Sequence, residues 1–220
     1  MSISSYIDHT ILKPEAAPAD IRRLCEEAVA YRFAGVCVNS SFVALAREVL
    51  AGRGPKVVCV TGFPLGAMSS AAKVAETALA VKSGAEEIDT VIAVGRLLAG
   101  EDEYVLEDLR LVVEAAEGRP VKVIIETGLL TDDYKIRACH IALQAGAAFV
   151  KTCTGFAKGS ATVEDVKLMV RAVAGQCQVK ASGGIRDYAV AESLIAAGAA
   201  RLGTSSGIAI VEGKTVDGGY

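Results

Sequence analysis

Short apolar, β-branched runs alternate with longer amphipathic runs from one end of the chain to the other. Bounded by glycine, proline and polar turns, the short runs predict strands over Tyr6–Thr10, Gly35–Asn39, Val57–Gly62, Glu87–Val94, Val121–Thr127, Phe149–Cys153, Gln178–Ser182 and Arg201–Thr204. The intervening segments predict helices over Ala19–Tyr31, Ser40–Leu50, Ser69–Ser83, Glu103–Ala116, Asp132–Ala145, Val163–Ala174 and Asp187–Ala197. In one of these, Val74, Thr77, Ala78 and Val81 fall on a single face at helical spacing. Thr162 predicts an N-cap, with the Asp165 carboxylate reaching back from the third helical position. Phe33-Ala34-Gly35, Ser83-Gly84-Ala85, Ala145-Gly146-Ala147 and Ala197-Gly198-Ala199 each close a helix just before a strand. Glycine there supplies a left-handed cap.

A strand–helix unit repeated eight times in 220 residues predicts parallel strands. Eight such units close on themselves without an edge, so the expected α/β fold is a single TIM (β/α)8 barrel over residues 1–212. Residues 213–220, with Gly213, Gly218 and Gly219, read as a flexible C-terminal tail. An open doubly wound sheet is the alternative, but no G-x-G-x-x-G follows the first strand.

Composition narrows the function classes. Apolar residues make up 52%, enough for a sizeable core, and the net charge of -3 comes without a clustered basic patch, so no nucleic-acid partner is expected. Charged residues interrupt every apolar run, so no membrane span is expected, and the N-terminus lacks the pattern of a signal peptide. The six cysteines form no C-x-x-C pair and mostly lie in apolar runs, which reads as reduced thiols in a cytoplasmic protein. His9 and His140 are far apart, so no metal site is expected.

In a barrel of this kind chemistry sits at the carboxyl ends of the strands. The polar residues there are Asp8, Asn39, Asp89, Glu126, Lys151, Thr154, Lys180 and Ser182. Period-two alternation sets Lys151 against Val150 and Thr152, Lys180 against Val179 and Ala181, and Asp89 against Ile88 and Thr90. With the apolar neighbours packed on helices, Lys151, Lys180 and Asp89 point inward. A single strand-end lysine is commonly a solvated rim charge. Two on successive buried strands point to amine chemistry, because a desolvated lysine beside another cation is a nucleophile toward carbonyls. Gly183-Gly184-Ile185-Arg186 and Gly203-Thr204-Ser205-Ser206-Gly207 follow the last two strands, where barrels of this class often bind phosphate through backbone N–H groups. Gly183, Gly184, Gly203, Ser205 and Ser206 are therefore the candidate phosphate residues. Two rivals share the barrel: a metal-dependent sugar-phosphate isomerase or epimerase, poorly served by two histidines, and a non-catalytic sugar-phosphate sensor, which has no need of paired lysines.

Across nearly its whole length the chain resembles the deoxyribose-phosphate aldolase family, class I aldolases on a TIM barrel. The resemblance rests on Ile7-Asp8-His9-Thr10, Val36-Cys37-Val38-Asn39, Gly62-Phe63-Pro64-Leu65-Gly66, Gly84-Ala85-Glu86-Glu87-Ile88-Asp89, Lys122-Val123-Ile124-Ile125-Glu126-Thr127, Phe149-Val150-Lys151-Thr152, Lys180-Ala181-Ser182-Gly183-Gly184-Ile185-Arg186 and Leu202-Gly203-Thr204-Ser205-Ser206, in order. It implies reversible cleavage of 2-deoxy-D-ribose 5-phosphate to glyceraldehyde 3-phosphate and acetaldehyde. Lys151 becomes the Schiff-base lysine, Lys180 the second lysine that lowers the pKa of the first, Asp89 the proton-relay acid working through water, and Asp8 a supporting carboxylate. Tyr220 matches the C-terminal tyrosine that reaches the active site in some members. No cofactor is implied. The expected partners are the small sugar phosphate, acetaldehyde and further copies of the chain in a dimer or tetramer. Cys153 stands where a serine is usual, and Phe156 where some relatives carry a lysine toward the phosphate, a role that Lys158 is placed to take over.

Overall fold

The computed structural model describes residues 2–214. Eight strands form a closed barrel, each hydrogen-bonded to the next and the last to the first, all parallel. They are β1 (Ile7–Thr10), β2 (Gly35–Asn39), β3 (Lys56–Thr61), β4 (Glu87–Val91), β5 (Val121–Ile124), β6 (Phe149–Lys151), β7 (Gln178–Ser182) and β8 (Arg201–Thr204). The helices are α1 (Pro18–Ala30), α2 (Val43–Leu50), α3 (Ser70–Ser83), α4 (Val94–Leu98), α5 (Asp102–Ala115), α6 (Asp132–Gln144), α7 (Val163–Val173), α8 (Tyr188–Ala196) and α9 (Gly207–Val211). The main core lies between barrel and helices, where Ile7, Val36, Ile88, Val150, Val179 and Leu202 turn outward. A smaller apolar cluster of Leu12, Cys37, Val58 and Val60, with Phe63 against it, fills part of the barrel interior.

The eight expected strands are all present in order, most within one or two residues of the expected bounds, and four departures have local reasons. β4 stops at Val91 because the chain turns at Ala93 into the short α4, so the Val91–Val94 stretch is not one strand. β5 stops at Ile124 because Glu126 takes a left-handed conformation, φ 59° and ψ 64°, which no strand accommodates. Thr162 does cap α7, accepting from the Asp165 N–H at 3.0 Å, but the Asp165 carboxylate turns instead to the Lys135 ammonium at 2.7 Å. Gly84, Gly146 and Gly198 hold the left-handed conformations expected at helix ends, whereas Gly35 does not. Gly35 is a strand residue paired beside Asp8, and a Cβ on it would stand 2.9 Å from Asp8 Oδ1.

Candidate active site

Strand register brings the ionisable side chains of the barrel interior together. Asp89 is paired beside Lys122, Lys151 beside Lys180, and Lys180 beside Arg201. On the remaining side Asp8 lies between two glycines, Gly35 of β2 and Gly203 of β8, which leave room for its carboxylate. Gly203 in turn faces Lys180: a Cβ there would come within 3.1 Å of the lysine Cε and 2.9 Å of Ser182 Cβ.

The result is a closed ring of ion pairs. Asp89 accepts from Lys180 at 2.8 Å, Lys180 also donates to Asp8 at 2.5 Å, and Arg201 donates to Asp8 at 2.7 Å. Arg201 reaches Glu87 at 3.2 Å, Glu87 meets Lys122 at 2.6 Å, and Lys122 returns to Asp89 at 2.9 Å. Lys151 hangs from this ring as a seventh member, donating to Asp89 Oδ2 at 2.7 Å. Asp8, Asp89, Lys122 and Lys180 have no exposed surface, and Lys151 keeps 3%. Buried charges of this kind are tolerated only when paired.

The ring fixes charge states. Burial pushes the Asp89 carboxyl upward, but the ammoniums of Lys122, Lys151 and Lys180 outweigh burial and hold it well below the usual carboxylate range. Asp8 is likewise lowered, with burial outweighed by Lys180, Arg201 and Lys122. Burial works against the Lys180 ammonium, yet Asp8 and Asp89 raise it above the ordinary lysine value. Lys180 is therefore a cation, as the like-charge argument requires. It does not face Lys151 alone, because both amines share one Asp89 oxygen, so Lys151 experiences the balance of the whole ring.

Above Lys151 opens a cavity of about 200 Å³. Its wall includes all five candidate phosphate residues, Gly183, Gly184, Gly203, Ser205 and Ser206, together with Lys151, Ser160 and Arg186. Gly183 and Gly184 hold φ 96° and 74° in succession, and a Cβ on Gly184 would stand 2.7 Å from Ser160 Cβ, so only glycine fits. The Ser206 N–H is held by Thr204 Oγ1 at 2.9 Å. A larger cavity, about 830 Å³, adjoins at Thr10, Ser205 and Ser206. None of Lys151, Lys180 or Asp89 lines it, so the smaller cavity is the one with chemistry at its floor.

The other strand-end candidates support the site from outside the ring. Asn39 donates to the Leu12 carbonyl at 3.3 Å. Ser182 Oγ donates to the Cys153 carbonyl at 2.5 Å, and Thr152 Oγ1 to the Ser182 carbonyl at 2.8 Å, tying β6 to β7 beyond the lysines. The Glu126 carboxylate, 3% exposed, accepts from Thr154 Oγ1 at 2.6 Å and from the Thr154 N–H at 3.2 Å. Cys153 pairs its thiol with Thr127 Oγ1 at 3.3 Å, a bond a serine could also make. Phe156 packs edge-on against Phe63, with ring centres 5.2 Å apart. Lys158 is exposed and does not line the cavity, whereas Arg186 does; the cation beside the glycine turns is thus Arg186. Tyr220 lies outside the described residues. Lys122, Glu87 and Arg201 are the ring members that sequence reasoning missed. Lys122 carries the same alternating signal as Lys151, inward between Val121 and Val123.

Comparison with known proteins bears on the family and the fold. The sequence profile described as DeoC/LacD family aldolase matches residues 3–213. A deoxyribose-phosphate aldolase of Bdellovibrio bacteriovorus is 55% identical over 220 residues, covering 100% of both chains. One from Geobacillus is 54% identical over 220 residues, covering 100% of this chain and 99% of the other. The tetrameric deoxyribose phosphate aldolase of Aeropyrum pernix superposes with a TM-score of 0.89 at 32% identity, covering 96% of this chain and 89% of that one.

Proposed function

The chain belongs to the DeoC/LacD family of aldolases, and from that premise we propose that it is a class I aldolase that reversibly cleaves 2-deoxy-D-ribose 5-phosphate to D-glyceraldehyde 3-phosphate and acetaldehyde. The observation that carries this reading is the Lys151 amine at the floor of the cavity walled by Gly183, Gly184, Ser205 and Ser206, 2.7 Å from the Asp89 carboxylate.

Lys151 adds its nitrogen to the open-chain sugar's C1 carbonyl, and the carbonyl oxygen leaves as water to give an iminium. A base takes the proton of the C3 hydroxyl, and the C2–C3 bond breaks. Its electron pair flows into the iminium as an enamine, and glyceraldehyde 3-phosphate departs. Protonation of the enamine carbon followed by addition of water releases acetaldehyde and the free amine. The iminium is the electron sink throughout. Asp89 is the proton-transferring carboxylate. In the resting site its oxygens are all held by lysines, so it becomes available as Lys151 turns to the substrate. Asp8 supports Lys180 from the far side. Arg186 and the glycine turns take the 5-phosphate. Tyr220 remains a candidate for proton transfer on sequence grounds.

The reading extends to the rest of the biology. Among the described residues no helix is long and apolar enough to cross a membrane, and the net charge of -3 gives no electrostatic footprint for nucleic acid. We place the enzyme in the cytoplasm and, with the Aeropyrum pernix relative as the supporting case, in a homo-oligomer. We take residues 1–212 as the aldolase domain, with 213–220 following it. Borohydride reduction with acetaldehyde, followed by peptide mass mapping, tests the central claim. Label is expected on Lys151 and lost in Lys151→Ala; label on another lysine, or on none, overturns it.

A further inference from the structure

We propose that Glu87 and Arg201 are positioning residues that set, through the ring of buried ion pairs, the pH at which Lys151 becomes a nucleophile. This rests on the Schiff-base reading above. Neither residue hydrogen-bonds to Lys151, and neither lines the cavity. Each is the first residue of its strand, at the opposite end of the barrel from the cavity.

Charge balance carries the argument. Within the ring the carboxylates of Asp8, Glu87 and Asp89 meet the cations of Lys122, Lys180 and Arg201, three against three. A protonated Lys151 is therefore the one excess charge of a buried network, and the neutral amine leaves that network balanced. The groups facing Lys151 have their charges pinned. Asp89 on β4 is held ionised, and on β7 the Lys180 ammonium is held charged. From β5 comes Lys122, paired to two carboxylates, and from β1 Asp8, also held ionised. On β2 the Cys37 thiol is pushed up to about 11 by burial and stays neutral. Glu126, at the mouth, is committed to Thr154. Glu87 and Arg201 are the remaining ring members. They also bond to each other through two contacts, 3.2 and 3.3 Å. Removing either one unbalances the ring by a full charge while the contact between Lys151 and Asp89 stays in place. In a water-poor interior such a charge acts over several residues with little screening.

The sign of each effect follows. Glu87→Gln leaves a surplus positive charge, so Lys151 gives up its proton at lower pH. Arg201→Gln leaves a surplus negative charge, so Lys151 holds its proton to higher pH. The expected displacement is roughly one pH unit in each direction. In the double variant Glu87→Gln, Arg201→Gln, balance is restored and the midpoint returns toward that of the parent.

The experiment measures the yield of borohydride-trapped acetaldehyde adduct on Lys151 as a function of pH in the parent, both single variants and the double variant, with thermal melting of each. Midpoints displaced in opposite directions, and restored in the double variant, support the proposal. Equal displacement in the same direction, or none, in variants that retain a cooperative melt overturns it, because a merely structural ring would lower stability without a charge-dependent sign. Should Arg201→Gln fail to fold, Arg201→Lys must keep the parent midpoint and Glu87→Gln must still lower it; failure of either overturns the proposal. A parent enzyme that traps no adduct on Lys151 refutes the Schiff-base reading instead, so the two failures are distinct.

Discussion

Asp89→Asn removes the carboxylate on which three ammonium groups converge. Lys151, Lys180 and Lys122 approach it at 2.7, 2.8 and 2.9 Å, and Asp89 has no exposed surface. Asparagine keeps the shape, so the change isolates charge. Breaking a single buried pair by removing one partner costs about 3–5 kcal/mol, because a charge is left buried and uncompensated. Here three partners are affected, so about 3–5 kcal/mol is the lower end of the expected loss. For a domain of this size, each kcal/mol lowers the melting temperature by about 2–4 °C, which predicts a fall of at least about 6 °C. The pH dependence is the sharper test. In the parent, the depressed Asp89 pKa contributes stability that is present above the unfolded carboxylate value and is lost as pH falls through the lower folded value. In the variant that acid-side loss disappears. Its crowded lysines instead bind protons less readily folded than unfolded, so stability rises as pH rises toward the alkaline range. Urea denaturation at about pH 5, 7 and 9, which spans the carboxylate and lysine ranges, would follow this. A variant within about 1 kcal/mol of the parent at neutral pH, a margin set by the usual scatter of surface changes, with no gain at alkaline pH, refutes the convergent-charge argument.

Ser206→Asp sets a like charge in the wall of the cavity and is expected to raise KM for deoxyribose 5-phosphate far more than for unphosphorylated deoxyribose; equal effects on both substrates would remove the phosphate assignment. Thr154→Val deletes the hydroxyl that donates to the buried Glu126 carboxylate at 2.6 Å, and the urea midpoint is expected to fall by the equivalent of about 1.5–3 kcal/mol. Exhaustive chelation is expected to leave turnover unchanged, since the iminium supplies the electron sink; activity lost to chelation and restored by a divalent ion would favour a metal-dependent isomerase or epimerase instead.

The barrel was legible because its signal is local and repeated. Eight apolar runs, with glycine ends such as Gly84, Gly146 and Gly198, required no long-range information. The inward direction of Lys151, Lys180 and Asp89 was equally legible, since alternation within a strand determines it. Register is different. That Asp8 lies between Gly35 and Gly203, and that Arg201 meets both Asp8 and Glu87, depends on how strands far apart in the chain align. Glu87 and Arg201 each read only as the first residue of a predicted strand, with nothing local to show that they meet. The left-handed backbone of Glu126 had no sequence signal, because a non-glycine residue adopts it only when surrounding contacts impose it. Lys73 was hidden for a similar reason: lysine is almost never fully buried unless paired, and its partner Asp108, 2.6 Å away, lies on α5.

The ion-pair ring divides along the chain. Every carboxylate in it, Asp8, Glu87 and Asp89, is carried by the first four strands. Every cation, Lys122, Lys151, Lys180 and Arg201, is carried by the last four. Each half of the barrel thus presents an inner face of a single sign. Neither half can bury that face by itself, because several kcal/mol per uncompensated ion oppose it. Nor can two copies of the same half close upon each other, since like charges would then meet in a dry interior. The only partner that neutralises the acidic half is the basic one, so the charges on which the chemistry depends also encode which halves may join, and a half-barrel exchanged from another protein would have to carry the matching sign.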